Sequence, residues 1–138
     1  MRPVTAYVLA LALPLAGPAL AADGPAGRYR IDVDATWRAL EETEQATPRW
    51  REMLEKQRDV MFLVFSGNEF SLVAGPSLGG QTQGTCEWHL ERDLLVFQNC
   101  RNAKGGAFAV NGIIRYVADD DTLMVEGNAP VPVRYRVD

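Results

Sequence analysis

Few residues in this 138-residue chain have the types to do chemistry: two cysteines, Cys86 and Cys100, one histidine, His89, an acidic run at Asp119-Asp120-Asp121, and scattered arginines. The cysteines lie too far apart for a Cys-x-x-Cys redox motif, and a single histidine cannot complete a zinc site with them. To act as a general base, His89 would need a nucleophile or a polarised partner. No serine elbow, carboxylate pair or phosphate-cradling loop accompanies it. The aspartate run offers hard-cation ligands without the spacing of an EF-hand loop, so a solvated hairpin tip is the simpler reading. No catalytic residue, metal ligand or cofactor is therefore assigned, and the expectation is a protein that binds rather than catalyses.

The cysteines read instead as structural. Cys86, Trp88 and Leu90 alternate with Glu87, His89 and Glu91, the period of a strand with one buried face, and Leu94 to Phe97 is a second apolar run. The short charged stretch Glu91-Arg92-Asp93 folds the two runs into a hairpin. A loop over Arg92 to Leu94 sets Glu91 against Leu95 and Cys86 against Cys100, near the separation a disulfide requires. A slip of one residue would put the cysteines on opposite faces, so the predicted Cys86–Cys100 bridge depends on register.

Met1 to Ala21 combines a positive charge at Arg2, an apolar run from Ala6 to Leu15 and the small-x-small site Ala19-Leu20-Ala21. These are the parts of a secretory signal cleaved near Ala21, leaving a single periplasmic or secreted domain over 22–138. The apolar run falls short of the roughly 20 residues that span a bilayer, and no later stretch comes closer, so no membrane span is expected in the mature chain. Export agrees with a disulfide, which persists in oxidising compartments. The net charge is −4, and removal of the signal takes away one arginine and no acid, leaving −5. That balance argues against nucleic acid as a partner.

Gly27 to Val33 reads as the first strand, with Tyr29, Ile31 and Val33 on one face. From Asp34 the period turns helical. Asp34 caps a first helix running to about Gln45; Thr47 caps a second, with Pro48 at its first position and Trp50, Met53, Leu54 and Gln57 as its stripe. Val60 to Phe65 is apolar throughout, so both faces of that strand need cover, the outer one from the helices. Ser66-Gly67-Asn68 turns into Phe70 to Ala74, and Gly75 to Gly84 is an uncharged rim loop. Beyond the cysteine hairpin, Phe108, Val110, Ile114 and Tyr116 share one face of a long strand bent at Gly112. Asp119 to Asp121 turns into Thr122 to Glu126, and Val131, Val133, Tyr135 and Val137 alternate in the last strand. The result is a mainly β, α+β chain: about eight strands in an antiparallel meander closed into a barrel, with a helix-turn-helix insert over 34–58. Closure predicts that the end strands pair with Arg28 against Asp138, Arg30 beside Arg136 and Asp32 against Arg134.

The opening Gly27-Arg28-Tyr29, the helix pair and the meander of short strands resemble the calycin group, above all its fatty-acid-binding-protein branch and more loosely the lipocalins. The resemblance implies a lipocalin-like barrel with an internal pocket. Those families open with Gly-x-Trp and clamp a carboxylate with Arg-x-Tyr near the C-terminus. Val133-Arg134-Tyr135 carries valine at the arginine position, so that clamp is not expected here. Tyr29, Phe62, Trp88, Phe108 and Tyr116, lidded by Trp37 and Trp50, would either line an apolar cavity or fill it, since an eight-stranded barrel has room for side chains or for one small ligand. Arg28, Arg30, Arg134 and Arg136 would form a basic outer patch, suited to an interface or serving only to discourage sheet-to-sheet association. Two functions are expected in turn. The first is carriage of a small apolar or amphipathic ligand inside the barrel. The second, with a filled barrel, is binding of another envelope protein through the outer face as an inhibitor or immunity module.

Overall fold

Eight short strands, each with one apolar face, hide those faces most completely by closing on themselves. The computed structural model describes residues 24–138, and the signal sequence expected over 1–21 lies outside the described residues. In chain order the elements are β1 (Gly27–Ile31), α1 (Val33–Glu42), α2 (Pro48–Gln57), β2 (Met61–Ser66), β3 (Glu69–Ala74), β4 (Thr82–Glu91), β5 (Leu94–Asn102), β6 (Ile113–Val117), β7 (Thr122–Glu126) and β8 (Val133–Val137). The strands form a closed antiparallel barrel in sequence order, with β1 pairing to both β2 and β8. Arg30 lies opposite Arg136, and backbone bonds from Asp32 N to Arg134 O (2.7 Å) and from Asp138 N to Arg28 O (2.8 Å) extend that register in both directions, as the charge pattern predicts. Arg28 and Arg30 both reach Asp138, at 3.0 and 3.5 Å, and Arg30 also reaches Asp59 at 3.2 Å, so carboxylates offset the facing arginines. Among the described residues no helix is long and apolar enough to cross a membrane.

Asp32, rather than Asp34, caps α1: its Oδ1 accepts the Ala35 N–H at 3.0 Å. Asp32 has the extended backbone an N-cap needs where β1 ends, whereas Asp34 lies in the first turn and its carboxylate pairs with Arg51 of α2 at 3.3 Å. The helix ends at Glu42, short of Gln45, and Val33 leaves the strand to be buried at the start of the helix. Thr47 caps α2 by accepting the Trp50 N–H at 3.2 Å, with Pro48 first in the helix. Both helices pack over one mouth of the barrel, where Val33, Leu40 and Leu54 meet Ile31 and Val131. Buried Thr36 ties α1 to β8, its hydroxyl donating to Asp32 O at 2.8 Å and accepting the Arg134 N–H at 3.0 Å. The helices do not cover the outer face of β2, contrary to expectation. There the Arg28 guanidinium sits 3.6 Å over the Phe62 ring and the Gly75 backbone packs beside it, leaving Phe62 only 3% exposed.

The cysteine hairpin has a shorter turn than its sequence suggests, because Glu91 faces Leu94 across Arg92-Asp93. Carried to the far end, that register would set Cys86 against Asn99. A bulge at Asn99, with φ of +52°, takes up the extra residue, so that Glu87 faces Gln98 while Thr85 faces Arg101. Cys86 and Cys100 are thereby brought together, Cα atoms 4.1 Å apart, in a disulfide. β4 begins at Thr82, so only Gly75 to Gln81 remains as rim loop. The long strand expected from Phe108 is also cut short. At Gly112, φ +96°, a Cβ would meet Glu126 O at 2.6 Å, and 107–111 leaves the sheet before this bend.

Side chains close the mouth away from the helices. The Tyr29 and Tyr116 hydroxyls both donate to Asp121 Oδ1, Tyr116 at 2.9 Å, and the Ala26 N–H donates to the Tyr29 oxygen at 3.3 Å. The aspartate run is thus not wholly a solvated tip, since Asp121, with φ of +51°, turns inward. Burial first, and the Asp121 carboxylate second, push both phenols up, Tyr116 to about 12.

Replacing both Cys86 and Cys100 by serine is expected to lower the unfolding free energy by about 3 kcal/mol in urea titration, because the bridge closes a short loop in the unfolded chain. Stability is expected to be fully present below pH ~10, where tyrosine begins to ionise in the unfolded chain, and to fall as the pH rises. The fall continues through about 12, the folded value for Tyr116, since the folded state holds a proton that the unfolded state has released. Circular dichroism during alkaline titration should show a shallower loss in Tyr116→Phe.

Candidate functional site

The barrel interior divides into a packed half and a hollow half. At the Asp121 end aromatic rings fill it: Phe65 meets Tyr29 and Trp88 edge-on at 5.7 and 5.4 Å, and Phe70 tilts against Phe65 and Phe97 at 5.2 and 4.8 Å. At the helix end the inward residues are largely aliphatic. Leu63, Leu72, Val110, Ile114 and Val125 wall a cavity of about 310 Å³ there. A second cavity of about 370 Å³ adjoins it beneath α2, between Trp50, Met53 and Leu54 on the helix and the Gly127–Ala129 turn of the barrel. Gln57, Asn111, Val125 and Tyr135 border both. Burial pushes the Tyr135 phenol up. Apolar walls with a few polar groups at one level are the composition of a small-molecule site.

Of the seven aromatic residues expected at a ligand, Phe108 lines the inner cavity and Trp50 the outer one. Tyr29, Trp88 and Tyr116 belong to the packed half. Trp37 lies in the contact between helices and barrel, with the Arg51 guanidinium 5.5 Å over its ring. Phe62 is a correction: it alternates with inward Leu63 and Phe65 and faces outward beneath Arg28. Sequence reasoning missed the aliphatic wall because it looked for large rings, which fill a barrel, while the smaller side chains in the same alternation leave space. Of the four arginines on the outer face, Arg28 and Arg30 are engaged by Asp138, Asp59 and Phe62, and among the described residues Arg134 and Arg136 make no ion pair. His89 is exposed, 3.2 Å from Glu91.

The wall of the hollow half has a seam. β5 and β6 share one paired position, Leu94 with Arg115, and apart from a bridge between Arg101 and Ala107 the far half of β5 has no strand on that side. Residues 107–111 cross the gap and lay Phe108 on Gly84 of β4, so closely that a Cβ at Gly84 would lie 2.5 Å from the ring. Gly105 and Gly112, both at positive φ, bracket the crossing.

Gly84→Ala is expected to expel Phe108 from the interior and cost about 1–3 kcal/mol, the range for overpacking a filled site. Most of that cost should vanish in a Phe108→Ala background, which urea titration of the four proteins in the cycle would measure.

No family model, no curated protein and no solved structure matches the chain.

Proposed function

We propose that this chain is a non-enzymatic carrier, exported to the periplasm or beyond, that holds one small apolar or amphipathic ligand in the helix-covered half of the barrel. The observation that carries the reading is the division of the interior. Protein interiors pack as densely as organic crystals, and an apolar wall left open to water forgoes the burial that would stabilise the fold. A chain that packs Tyr29, Phe65 and Trp88 tightly at one end yet leaves about 310 Å³ at the other, walled mainly by aliphatic residues with Phe70 and Phe108 among them, has a space at the small end of the ligand-pocket range. The calycin-like layout supports the same reading, and the disulfide suits an oxidising compartment. The alternative, an outer arginine patch meeting an envelope protein, loses weight because Arg28 and Arg30 are already paired within the chain.

Leu72→Trp sets an indole into the inner cavity and tests the reading. The wild-type protein should enhance the fluorescence of N-phenylnaphthylamine with micromolar affinity. The variant should bind at least about tenfold more weakly, a loss of 1.4 kcal/mol or more, while its melting temperature stays within a few degrees. Equal binding by the two proteins, or none by the wild type, would overturn the carrier reading.

A further inference from the structure

The border between the two cavities carries information about the ligand's polar end. Gln57 comes from the last turn of α2, Asn111 from the segment that crosses the seam and Tyr135 from β8, so three separate elements bring polar side chains to one level at the open rim of the inner cavity, Gln57 and Asn111 exposed and Tyr135 half-buried. Among the described residues neither amide nor the Tyr135 hydroxyl is hydrogen-bonded to the protein. Amides and hydroxyls both donate and accept, so together they complement a group that does both.

Charge is excluded from the same level. No lysine, arginine or histidine lines either cavity, and the one acidic residue there, Glu126, belongs to the outward phase of β7, opposite to Leu123 and Val125. Its carboxylate turns to Arg115, 3.6 Å away. Arg134, the arginine beside Tyr135 in sequence, faces an outer groove with Ala35, Arg38 and Glu42. A carboxylate or ammonium head would therefore find no counter-charge at this level, whereas a hydroxyl finds three groups that can donate to it or accept from it.

Building on the carrier reading, we propose that the ligand is an uncharged single-chain amphiphile whose hydroxyl head sits among Gln57, Asn111 and Tyr135. Its alkyl chain runs inward along Leu63, Leu72 and Ile114. The space beneath α2 takes whatever extends beyond the head.

Competition against N-phenylnaphthylamine at neutral pH tests this, using decanol, decanoate and decylammonium, which share a chain and differ in head charge. Decanol should displace the probe at a concentration about tenfold or more below the other two. Gln57→Leu and Tyr135→Phe should each weaken decanol about three- to tenfold, the range expected from one lost hydrogen bond. Decanoate or decylammonium competing as well as decanol would overturn the uncharged head and leave the carrier reading standing. A decanol preference untouched by both substitutions would overturn the placement of the head. Failure of the probe to bind would overturn the carrier reading and this inference with it.

Discussion

The antiparallel pairing of β1 with β8 is the contact on which the interior depends. Without it the eight strands would be an open sheet with two exposed edges, and no residue could be called inward. The pairing is short, yet it is reinforced beyond the strands. Asp138 draws in Arg28 and Arg30 at one end of the ladder. At the other end the chain has already turned into α1, and Thr36 takes up the Arg134 N–H. Closing the barrel and seating the helices are therefore coupled, since the same residues of β8 serve both.

That coupling explains the unequal halves. The end near Asp121 is closed by side chains of the strands and their turn, through two tyrosine hydroxyls on one carboxylate and edge-to-face rings behind them. Nothing there requires a separate cover. The opposite end is covered by elements inserted for the purpose, and an amphipathic helix laid across a mouth does not fill the depth below it. Leu54 and Trp50 reach the rim, Gln57 reaches the border between the cavities, and the aliphatic wall beneath remains lined rather than packed.

Much of this architecture was legible in the residues, and the failures have physical causes. Strict alternation set the phase of β1, β4, β6 and β8, and the charges on the end strands indicated their register. The disulfide was legible although the turn was misjudged by one residue, because the bulge at Asn99 restores the alignment that a longer turn would have supplied. No local pattern announces such a bulge; asparagine merely tolerates the left-handed backbone it needs. The fully apolar stretch of β2 has no phase of its own, so Phe62 could be assigned outward only once its neighbours were known. Phe108 and Val110 continue the alternation of β6 and still reach the core, but alternation says nothing about whether a partner strand lies alongside, and none does. The cavity was least legible of all, because volume left over is a property of the whole wall and of no single residue.

The seam gives the barrel wall a mechanical grain. Parting two neighbouring strands breaks the backbone bonds between them, and along β5 and β6 there are fewer such bonds to break than between any other neighbours. Strain therefore concentrates in the glycine-bracketed crossing while the other seven junctions hold. The helix cover, capped at Asp32 and Thr47, is tied to β8 through Thr36. In this barrel the cover is firmly anchored, and the β5–β6 seam is the least-bonded line of the wall.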